Sequence, residues 1–399
     1  MNDSLGHARR RLVVISDYQE GCFQDVALPS AADFQAIWEA LGIRGKGFEA
    51  EPSEKFDVEG SYIERLPLAF LRSGLVDSAE IWTHSRDPKP SLATRGSGPL
   101  RRRSFRMNGP MAPFASNDMV GYIAAFGAPD FLCVWGLGVD EEIMRACSES
   151  FKIYNSIDAP ALRIPPEVSR HFDLVLTGAD WQSEEVQRVH PGMATLVLPI
   201  GPEFASETMF RPLDLEKVYD VIYVAAAQPY KRHDLLFEAL AKVPMPLKAL
   251  CVCGYGELVD AFRAQTSELG LDVEFIGPPG VGYDDVNRYM NQSRIGVVCG
   301  VDDGAPAILT EYMLAGIPVL ANSKLACGLQ YITRETGLAV DGALFSQGIV
   351  EMLSRVSDFS PRQTVCENWL WPSSIEKLAH AIKSNPRGHL IFGSKEPSS

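Results

Sequence analysis

The chain has 399 residues, of which 46% are hydrophobic and 22% charged, and its formal net charge is −14. This length exceeds what one hydrophobic core usually organises and favours two domains. The composition excludes disorder, coiled coils and collagen-like repeats as the main architecture. The acidic balance disfavours a general nucleic-acid-binding protein, because such proteins gain most non-specific affinity from neutralising phosphates.

No apolar run approaches the roughly 18 residues needed to span a bilayer, and the first residues lack the apolar centre of an export signal. We therefore expect a soluble cytoplasmic protein. The eight cysteines form no C-x-x-C pair, and the histidines show no metal-ligand spacing. Asp302 and Asp303 are adjacent, so they lack the intervening residue of a metal-binding D-x-D motif. These patterns predict neither a metal site nor a cofactor.

Apolar β-rich runs alternate with helical patterns along the chain, which predicts an α/β fold with parallel sheets covered by helices. In the first half, strands are predicted at residues 12–17, 79–83, 131–136, 152–157, 174–178 and 195–200. Helices are predicted between some of them, at residues 31–41, 63–73 and 184–190.

Two stretches lack clear periodicity. Residues 88–117 contain no acidic residue but six basic ones, which predicts a mobile basic loop: Lys89, Arg95, Arg101, Arg102, Arg103 and Arg106. Such a loop favours binding of an anionic substrate or peripheral contact with a membrane surface, and the alternative is an ordinary solvated loop. Residues 201–217 carry two prolines among small and charged residues and are interpreted as an interdomain linker.

The second half has a more regular β-α repeat, which is typical of a doubly wound sheet. Strands are predicted at residues 218–225, 247–254, 273–277, 294–300 and 317–322, and helices are predicted to begin at Asp234, Glu257, Asp284 and Pro306. Ligands of such sheets bind beyond the carboxyl ends of the strands. Candidate site residues should therefore follow strands.

Three turns of the second half follow predicted strands. Lys231 lies just before a predicted helix, where its ammonium and backbone N–H groups could meet phosphate, the alternative being a solvated surface lysine. Gly254 and Gly256 form G-x-G, but Val259 replaces the third glycine of a dinucleotide fingerprint. Gly277 and Pro278 form a turn that could meet a flat base, although turn chemistry alone also explains it.

The strongest candidate follows the strand predicted at residues 294–300. A small-residue segment opens the next helix with free backbone donors and is interpreted as an anion cradle: Gly304, Ala305, Pro306 and Ala307. Asp303 precedes this segment, and Glu311 follows Asp303 by eight residues. Carboxylates suit vicinal hydroxyls because they accept charge-assisted hydrogen bonds. The alternatives are a helix-terminal charge for Asp303 and a solvated helix face for Glu311.

Residues 218–340 resemble the nucleotide-sugar-binding domain of retaining GT-B glycosyltransferases of family four. The resemblance consists of a K-x-x-D turn from Lys231, then G-x-G, F-x-G, acid-x(7)-E from Asp303, and A-G-x-P-V from Ala315, in that order. In the first half, residues 169–189 and the segments LPIGPEF and FRP are similar to the family's crossover between domains.

The resemblance implies a GT-B fold of two Rossmann-like, doubly wound domains facing a cleft. An acceptor-side domain would span residues 1–210 and a donor domain residues 211–372, with a helix and tail at 373–399 returning toward the first domain. The implied enzyme transfers a sugar from a nucleoside diphosphate sugar, with retention, in polysaccharide or glycoconjugate biosynthesis. Its unknown acceptor would be a lipid-linked saccharide, a polysaccharide precursor or a small molecule.

The resemblance also implies roles for individual residues. Lys231 would stabilise the donor diphosphate, Glu311 would hold the ribose hydroxyls, and Asp303 would face the transferred sugar. The amides near Gly304–Ala307 would lie against sugar and phosphate. The chain departs from the family by having Ala225-Ala226 where Gly-Arg is common, so the usual arginine is absent. Arg232 is a candidate substitute that ranks below Lys231.

Three further departures bear on the function. The acid-x(7)-E motif begins with Asp rather than Glu, and the first predicted strand is followed by a segment whose single glycine is Gly21. The family's histidine in the first domain is not apparent, and Asp158 is a candidate for orienting the acceptor hydroxyl, with a turn role as the alternative. Alternative functions are a GT-B epimerase or phosphorylase, or a non-catalytic protein that binds sugar nucleotides.

Overall fold

The computed structural model describes residues 10–20, 62–86, 93–95 and 99–393, so the helix predicted at 31–41 and the segment with Gly21 lie outside the described residues. The chain divides into two compact units. The first unit contains the described residues up to Ile200 together with those from Trp371 onward. The second unit contains Gly201–Leu370.

The described residues of the first unit contain one eight-stranded sheet in the order β3-β4-β2-β1-β5-β6-β7-β8. All neighbours are parallel except β3, which is antiparallel to β4. The predicted strands are confirmed in this sheet, and β3 and β4 are additional. The strands are β1 (Arg11–Glu20), β2 (Ser78–Ser85), β3 (Ala93–Arg95), β4 (Leu100–Arg106), β5 (Phe131–Trp135), β6 (Phe151–Asn155), β7 (Leu174–Thr177) and β8 (Ala194–Val197).

Helices cover this sheet, as the fully buried strands β5, β6 and β7 require. They are α1 (Arg65–Arg72), which follows a 3₁₀ turn at Tyr62–Glu64, α2 (Asn117–Phe126), α3 (Glu141–Ala146), α4 (Pro166–Ser169) and α5 (Asp180–Val189). The short helix α6 (Ile200–Glu203) begins at the last residue before the second unit and continues into that unit. Two C-terminal helices, α13 (Trp371–Ser384) and α14 (Pro386–Gly393), also belong to the first unit. The Arg72 guanidinium lies 5.6 Å from the centre of the Trp371 ring.

The prediction of a mobile loop at residues 88–117 is wrong for the arginine cluster. Leu100–Arg106 instead forms strand β4, which pairs with β2. Arg103 is buried and donates from Nε and Nη2 to the Glu80 carboxylate, at 2.7 and 2.9 Å. Arg102 pairs with Glu64, and Trp82 Nε1 donates to Glu80 at 2.8 Å. Burial raises the pKa of Glu80, but the bonds from Arg103 and Trp82 outweigh burial and lower it. Charge count alone cannot reveal such partners, and Lys89 lies outside the described residues.

The second unit contains a six-stranded, all-parallel sheet in the order β11-β10-β9-β12-β13-β14. Its strands are β9 (Tyr219–Val224), β10 (Lys248–Val252), β11 (Asp272–Ile276), β12 (Ser293–Val298), β13 (Val319–Asn322) and β14 (Gly337–Val340), the last not predicted. Its helices are α7 (His233–Lys242), α8 (Val259–Glu268), α9 (Tyr283–Asn291), α10 (Ile308–Leu314), α11 (Phe345–Ser354) and α12 (Pro361–Asn368). Short 3₁₀ turns lie at Pro229–Lys231, Leu329–Tyr331, Gly342–Leu344 and Val356–Asp358.

The segment at residues 201–217, interpreted as a linker, is instead packed into the second unit. Phe210 is fully buried in its core, and Lys217 Nζ donates to the carbonyl oxygens of Asn291 and Ser293 at 2.8 Å each. Phe210 and Lys217 thus have tertiary partners in the second unit, which the lack of periodicity could not indicate.

Alternation along the central strands places apolar side chains on both faces of the second sheet. Val221 and Tyr223 pack into one core with α7 residues, whereas Ile222 packs into another with α10 residues. Cys251 and Cys253 are buried in the first of these cores, and burial raises the pKa of Cys253 to about 11. These two thiols are therefore packing residues.

Two buried histidines predict a loss of stability in acid. Burial lowers the pKa of His84 and of His233 to about 4, and the charge of Lys231 contributes at His233. Because the pKa values of both histidines are lower in the folded protein, the unfolded chain binds protons at a higher pH than the folded chain does. The contribution of the neutral histidines to the free energy of unfolding is therefore complete above about pH 6.5. It is lost as pH falls toward 4, by about 3 kcal/mol per histidine.

We expect denaturant midpoints measured from pH 7 to 4 to fall less steeply in His84→Gln than in the wild type. His380→Gln, on an exposed face of α13, is the matched control and should keep the wild-type slope. Equal slopes in all three proteins would show that His84 is not neutral in the folded protein.

Candidate functional site

The carboxyl ends of β9 and β12 bring two predicted site residues together. Lys231 Nζ contacts the Asp303 carboxylate although the residues are 72 positions apart, and their side chains are 16% and 13% exposed. A Cβ atom on Gly300 would lie 3.1 Å from the Tyr230 carbonyl oxygen and 3.7 Å from Asp303 Oδ2. The loops after β9 and β12 therefore touch and hold a cation and a carboxylate at one edge of the sheet.

A side chain of the sheet fixes the position of the Lys231 backbone. Tyr223, buried in β9, donates its hydroxyl to the Lys231 carbonyl oxygen at 2.6 Å, and Lys231 N–H donates to Gln228 O at 3.1 Å. The Lys231 ammonium lies 4.8 Å from the centre of the Tyr230 ring. Tyr223 is thus a positioning residue that the sequence analysis missed, because an apolar strand gives no signal for one hydroxyl.

Arg232 follows Lys231 but is bound elsewhere. Its backbone is left-handed, with φ of 55°, and its guanidinium donates to the Asp234 carboxylate at 2.8–3.0 Å. This arrangement supports ranking Arg232 below Lys231 as a phosphate ligand.

The predicted glycines of the neighbouring loops are explained largely by contacts within the protein. Gly256 has φ of +118°, and a Cβ atom there would lie 2.4 Å from the Ala227 carbonyl oxygen. Gly277 has φ of +83°, and its Cβ would lie 2.3 Å from Cys253 O. Gly254 has only an ordinary 3.7 Å approach to Gly280. The close approach that Gly256 and Gly277 permit is therefore between loops of the sheet edge, where Pro278 follows Gly277.

The small-residue segment before α10 is arranged differently from the prediction. The helix begins at Ile308 rather than at Pro306, because the chain first forms a turn over residues 306–309, in which Leu309 N–H donates to Pro306 O at 3.2 Å. Gly304 is buried, whereas Ala305, Pro306 and Ala307 are partly exposed. Glu311 lies in the first turn of α10 and is 7% exposed, so it is not on a solvated face.

The helix that carries Glu311 is fastened to the end of β9. The buried Tyr312 hydroxyl accepts a hydrogen bond from Val224 N–H at 2.7 Å and donates to Ile222 O at 3.3 Å. Tyr223 of β9 and Tyr312 of α10 thus set the positions of Lys231 and of α10. The geometry allows this edge to bind an anion and hydroxyl groups together.

Two aromatic rings beside Lys231 were also missed. Tyr230 and Tyr255 are 38% and 51% exposed. Burial raises the pKa of Tyr255, and the nearby Tyr230 and Asp303 raise it further, whereas the charge of Lys231 partly opposes this rise. Both rings thus lie close to the charged pair and offer flat surfaces for a nucleobase or sugar.

Asp158 belongs to the first unit, whereas the other predicted site residues belong to the second. Its carboxylate accepts a hydrogen bond from Arg163 Nη1 at 2.8 Å, and Gln182 Nε2 donates to the Asp158 carbonyl oxygen at 2.8 Å. Two other polar atoms at this end of β6, Asn155 Oδ1 and Ser156 Oγ, are buried and have no hydrogen-bond partner among the described residues. Asn155 is the last residue of β6 and Ser156 directly follows it, and this position at a strand end was the available signal for both.

In the described ranges, no three His, Cys, Asp or Glu side chains are grouped in a way that could hold a metal ion. No helix within the same ranges has both the length and the apolar character that crossing a membrane requires.

Comparison with known proteins identifies the fold. The structure is similar over 97% of this chain and 100% of the other to sucrose-phosphate synthase from Thermosynechococcus elongatus, with TM-score 0.66 and 16% identity. It is similar over 94% of this chain and 100% of the other to HepE from Anabaena, solved in complex with UDP and glucose, with TM-score 0.61 and 12% identity.

A further similarity is to the pneumococcal O-GlcNAc transferase GtfA, solved with UDP and GlcNAc, with TM-score 0.53 and 11% identity. That match covers 70% of this chain but 61% of GtfA, so this chain spans less than two thirds of the length of GtfA. No curated protein matches the sequence.

Residues 205–359 match the family model described as "Glycosyl transferases group 1". This range lies in the second unit and includes Lys231, Asp303 and Glu311. The fold is the GT-B fold of two Rossmann-like α/β domains, and most of the second unit is similar in sequence to the group 1 glycosyl transferases.

Proposed function

We propose that the protein transfers a sugar from a nucleoside diphosphate sugar to an acceptor hydroxyl with retention of anomeric configuration. The observation that carries the proposal is the contact of Lys231 with Asp303 at the carboxyl edge of the second sheet, within the range that matches the glycosyltransferase model. Binding of UDP and glucose by HepE and of UDP and GlcNAc by GtfA supports a nucleotide-sugar donor.

The residues fit the steps of such a reaction. Lys231 would bind the diphosphate and stabilise the charge that develops on its leaving oxygen, because a fixed cation lowers the barrier most where charge accumulates. Asp303 would hold the Lys231 ammonium in place and face the transferred sugar. Glu311, buried in the first turn of α10, would accept hydrogen bonds from the ribose hydroxyls.

The remaining candidates would complete the donor site. Backbone donors around Gly304, Ala305 and Ala307 would meet sugar and phosphate oxygens, whereas Pro306 has no N–H to contribute. The exposed ring of Tyr255 would stack on the base. Retention in this fold requires no side-chain nucleophile, in keeping with membership of family four, which we propose on the motif order.

The acceptor would bind at the carboxyl edge of the first sheet, where Asp158 would orient its hydroxyl. Asn155 Oδ1 and Ser156 Oγ add buried polar atoms at the same strand end. Removing the attacking hydroxyl's proton needs a nearby acceptor, and a carboxylate or a phosphate oxygen of the donor could serve. We also propose that the reaction takes place in the cytoplasm.

A screen of nucleotide sugars by thermal stabilisation tests the proposal. A ligand present at 100 times its dissociation constant stabilises a folded protein by about 2.7 kcal/mol, which shifts the melting temperature measurably. Product analysis with the stabilising donor then separates transfer from epimerisation or phosphorolysis. Nucleotide binding without any turnover would instead favour a non-catalytic sugar-nucleotide-binding protein.

Replacing Glu311 by Gln should weaken donor binding about tenfold or more, because charge-assisted hydrogen bonds to the ribose are lost. The fold should persist, since Gln has a helix propensity close to that of Glu. Calorimetry with the cognate nucleoside diphosphate measures the effect. Glu268→Gln, on an exposed position of α8, is the matched control, and wild-type affinity in Glu311→Gln would remove Glu311 from the ribose site.

A further inference from the structure

The first unit contains a second polar site at the amino ends of its strands, whereas Asn155 and Ser156 lie at the carboxyl end of β6. A half-open cavity of about 300 Å³ lies where β6 and β7 begin and where α14 packs against them. Its polar lining is mainly basic and is called here the basic cavity: Arg145, Lys152, Arg170, His171 and Arg387, with Asp173. In a chain with a net charge of −14, such a concentration of cationic side chains needs an explanation.

Lys152 forms the floor of the basic cavity. It is only 2% exposed, and its Nζ donates to the carbonyl oxygens of Ser148 at 3.3 Å and Ser150 at 3.1 Å. An ammonium group has three donors, and these two carbonyls are its hydrogen-bond acceptors among the described residues. Burial and then the charge of Arg387 lower the pKa of Lys152. Lys152 and Arg387 both donate to the Ser148 carbonyl oxygen, so a buried ammonium and a partly exposed guanidinium lie close together.

The carboxylates nearby are shared among several cations. Glu141 pairs with both Arg145 and Arg170, at 2.7 Å each, and contacts His171 at 2.9 Å. Asp173 lies 3.5 Å from Arg387, and exposed Glu149 acts on Lys152 only through its charge. The arginines and Lys152 outnumber these three carboxylates, so the basic cavity keeps a positive charge.

The basic cavity is separate from the acceptor edge proposed above for the same unit. Lys152 is the second residue of β6 and Asp173 directly precedes β7, so both lie at the amino ends of these strands. Asn155 and Ser156 lie at the other end of β6. A ligand in the basic cavity would not meet the groups proposed for sugar transfer.

One wall of the basic cavity belongs to the C-terminal helix. Arg387 in α14 donates to the Ser148 carbonyl oxygen, and Asn385, just before α14, donates from Nδ2 to Asp173 O at 3.2 Å. The ring of Phe392 packs 5.8 Å from that of Phe131 at the start of β5. An anion bound between Arg387 and Lys152 would therefore link α14 to the sheet.

We propose that the basic cavity binds a phosphate group, held by Lys152, Arg387 and the exposed guanidinium groups of Arg145 and Arg170, and that this binding fastens α14 to the first unit. The paired N–H groups of arginine and a buried ammonium suit the oxygens of a phosphate. A small molecule and a phospholipid headgroup are the two possible carriers of this phosphate. The inference is independent of the sugar-transfer proposal.

Calorimetric titration of the full chain with inorganic phosphate tests the inference. Because phosphate could also bind beside Lys231, the titrations use Lys231→Ala as the background. In that background we expect saturable binding of one phosphate, weakened about tenfold or more by either Arg387→Gln or Lys152→Met. Arg387 is partly exposed, so its variant should fold even if Lys152→Met does not.

Arg334→Gln is the control, because the Arg334 side chain is 92% exposed in the second unit, and it should bind phosphate as the background does. Phosphate should also raise the melting temperature of the background protein, and this rise should be lost in Arg387→Gln. Phosphate binding with equal affinity in the background and in Arg387→Gln would overturn the inference.

Vesicle flotation distinguishes the two sources of phosphate. Phosphatidylcholine vesicles with and without phosphatidylglycerol are mixed with the wild type and with Arg387→Gln. Flotation that requires phosphatidylglycerol and Arg387 supports a lipid headgroup, whereas phosphate binding without flotation supports a small phosphorylated ligand. If neither phosphate nor vesicles bind in an Arg387-dependent way, the basic cavity is not a phosphate site.

Discussion

Lys231→Ala is expected to lower the rate of sugar transfer by about 100- to 1,000-fold, the usual cost of removing one group that stabilises developing negative charge. The substitution removes the ammonium that the Asp303 carboxylate and the loops after β9 and β12 hold in place. It should also erase the preference for a nucleoside diphosphate over the monophosphate. In the wild type this preference should be roughly 10- to 150-fold, the value of one charge-assisted contact of about 1.5–3 kcal/mol.

Arg232→Ala is the matched control for this experiment. Arg232 is adjacent in sequence and has the same charge, but its guanidinium is bound to Asp234. Its loss should therefore change the diphosphate preference and the turnover much less. Equal affinity of the wild type for monophosphate and diphosphate would contradict the phosphate role of Lys231 and favour a non-catalytic protein. The alanine at position 226, where the family has an arginine, is consistent with that alternative.

Arg103→Met should destabilise the protein by about 3–5 kcal/mol, because it leaves the Glu80 carboxylate buried without its main partner. Glu80 is 5% exposed and Arg103 is 7% exposed, so solvent cannot replace the lost bidentate contact. The Arg103 guanidinium also lies 4.9 Å from the centre of the Tyr122 ring. Denaturant unfolding followed by tryptophan fluorescence measures the change, since Trp82 donates to the same carboxylate.

Arg101→Met is the control, because Arg101 is exposed on the same strand and its loss should cost less than about 1 kcal/mol. The double variant Arg103→Met with Glu80→Gln should lose less than the sum of the single losses, as expected for directly coupled residues. Similar losses in Arg101→Met and Arg103→Met would mean that the ion pair in the sheet does not contribute specially to stability.

The order of the β-α elements follows from the sequence alone, because apolar periodicity is a local property of each segment. The repeat from Val218 onward predicted five of the strands in the second sheet. The positions of Lys231 and Asp303 after strands predicted that both would lie at the carboxyl ends of its strands. Two strands near or at a sheet edge escaped this approach. Leu100–Arg106 and Gly337–Val340 carry too many charged or small residues for their pairing to be recognised before their neighbours are known.

Only the tertiary structure decided which charged groups meet. Arg103 finds Glu80 across two neighbouring strands, Lys231 finds Asp303 across 72 residues, and Arg387 reaches Asp173 from the far end of the chain. The sequence likewise determined that residues 201–217 are irregular but not that they pack into the second unit. Periodicity records how each segment divides between core and solvent, whereas the choice of partner depends on which strand ends and helices the folded chain places side by side.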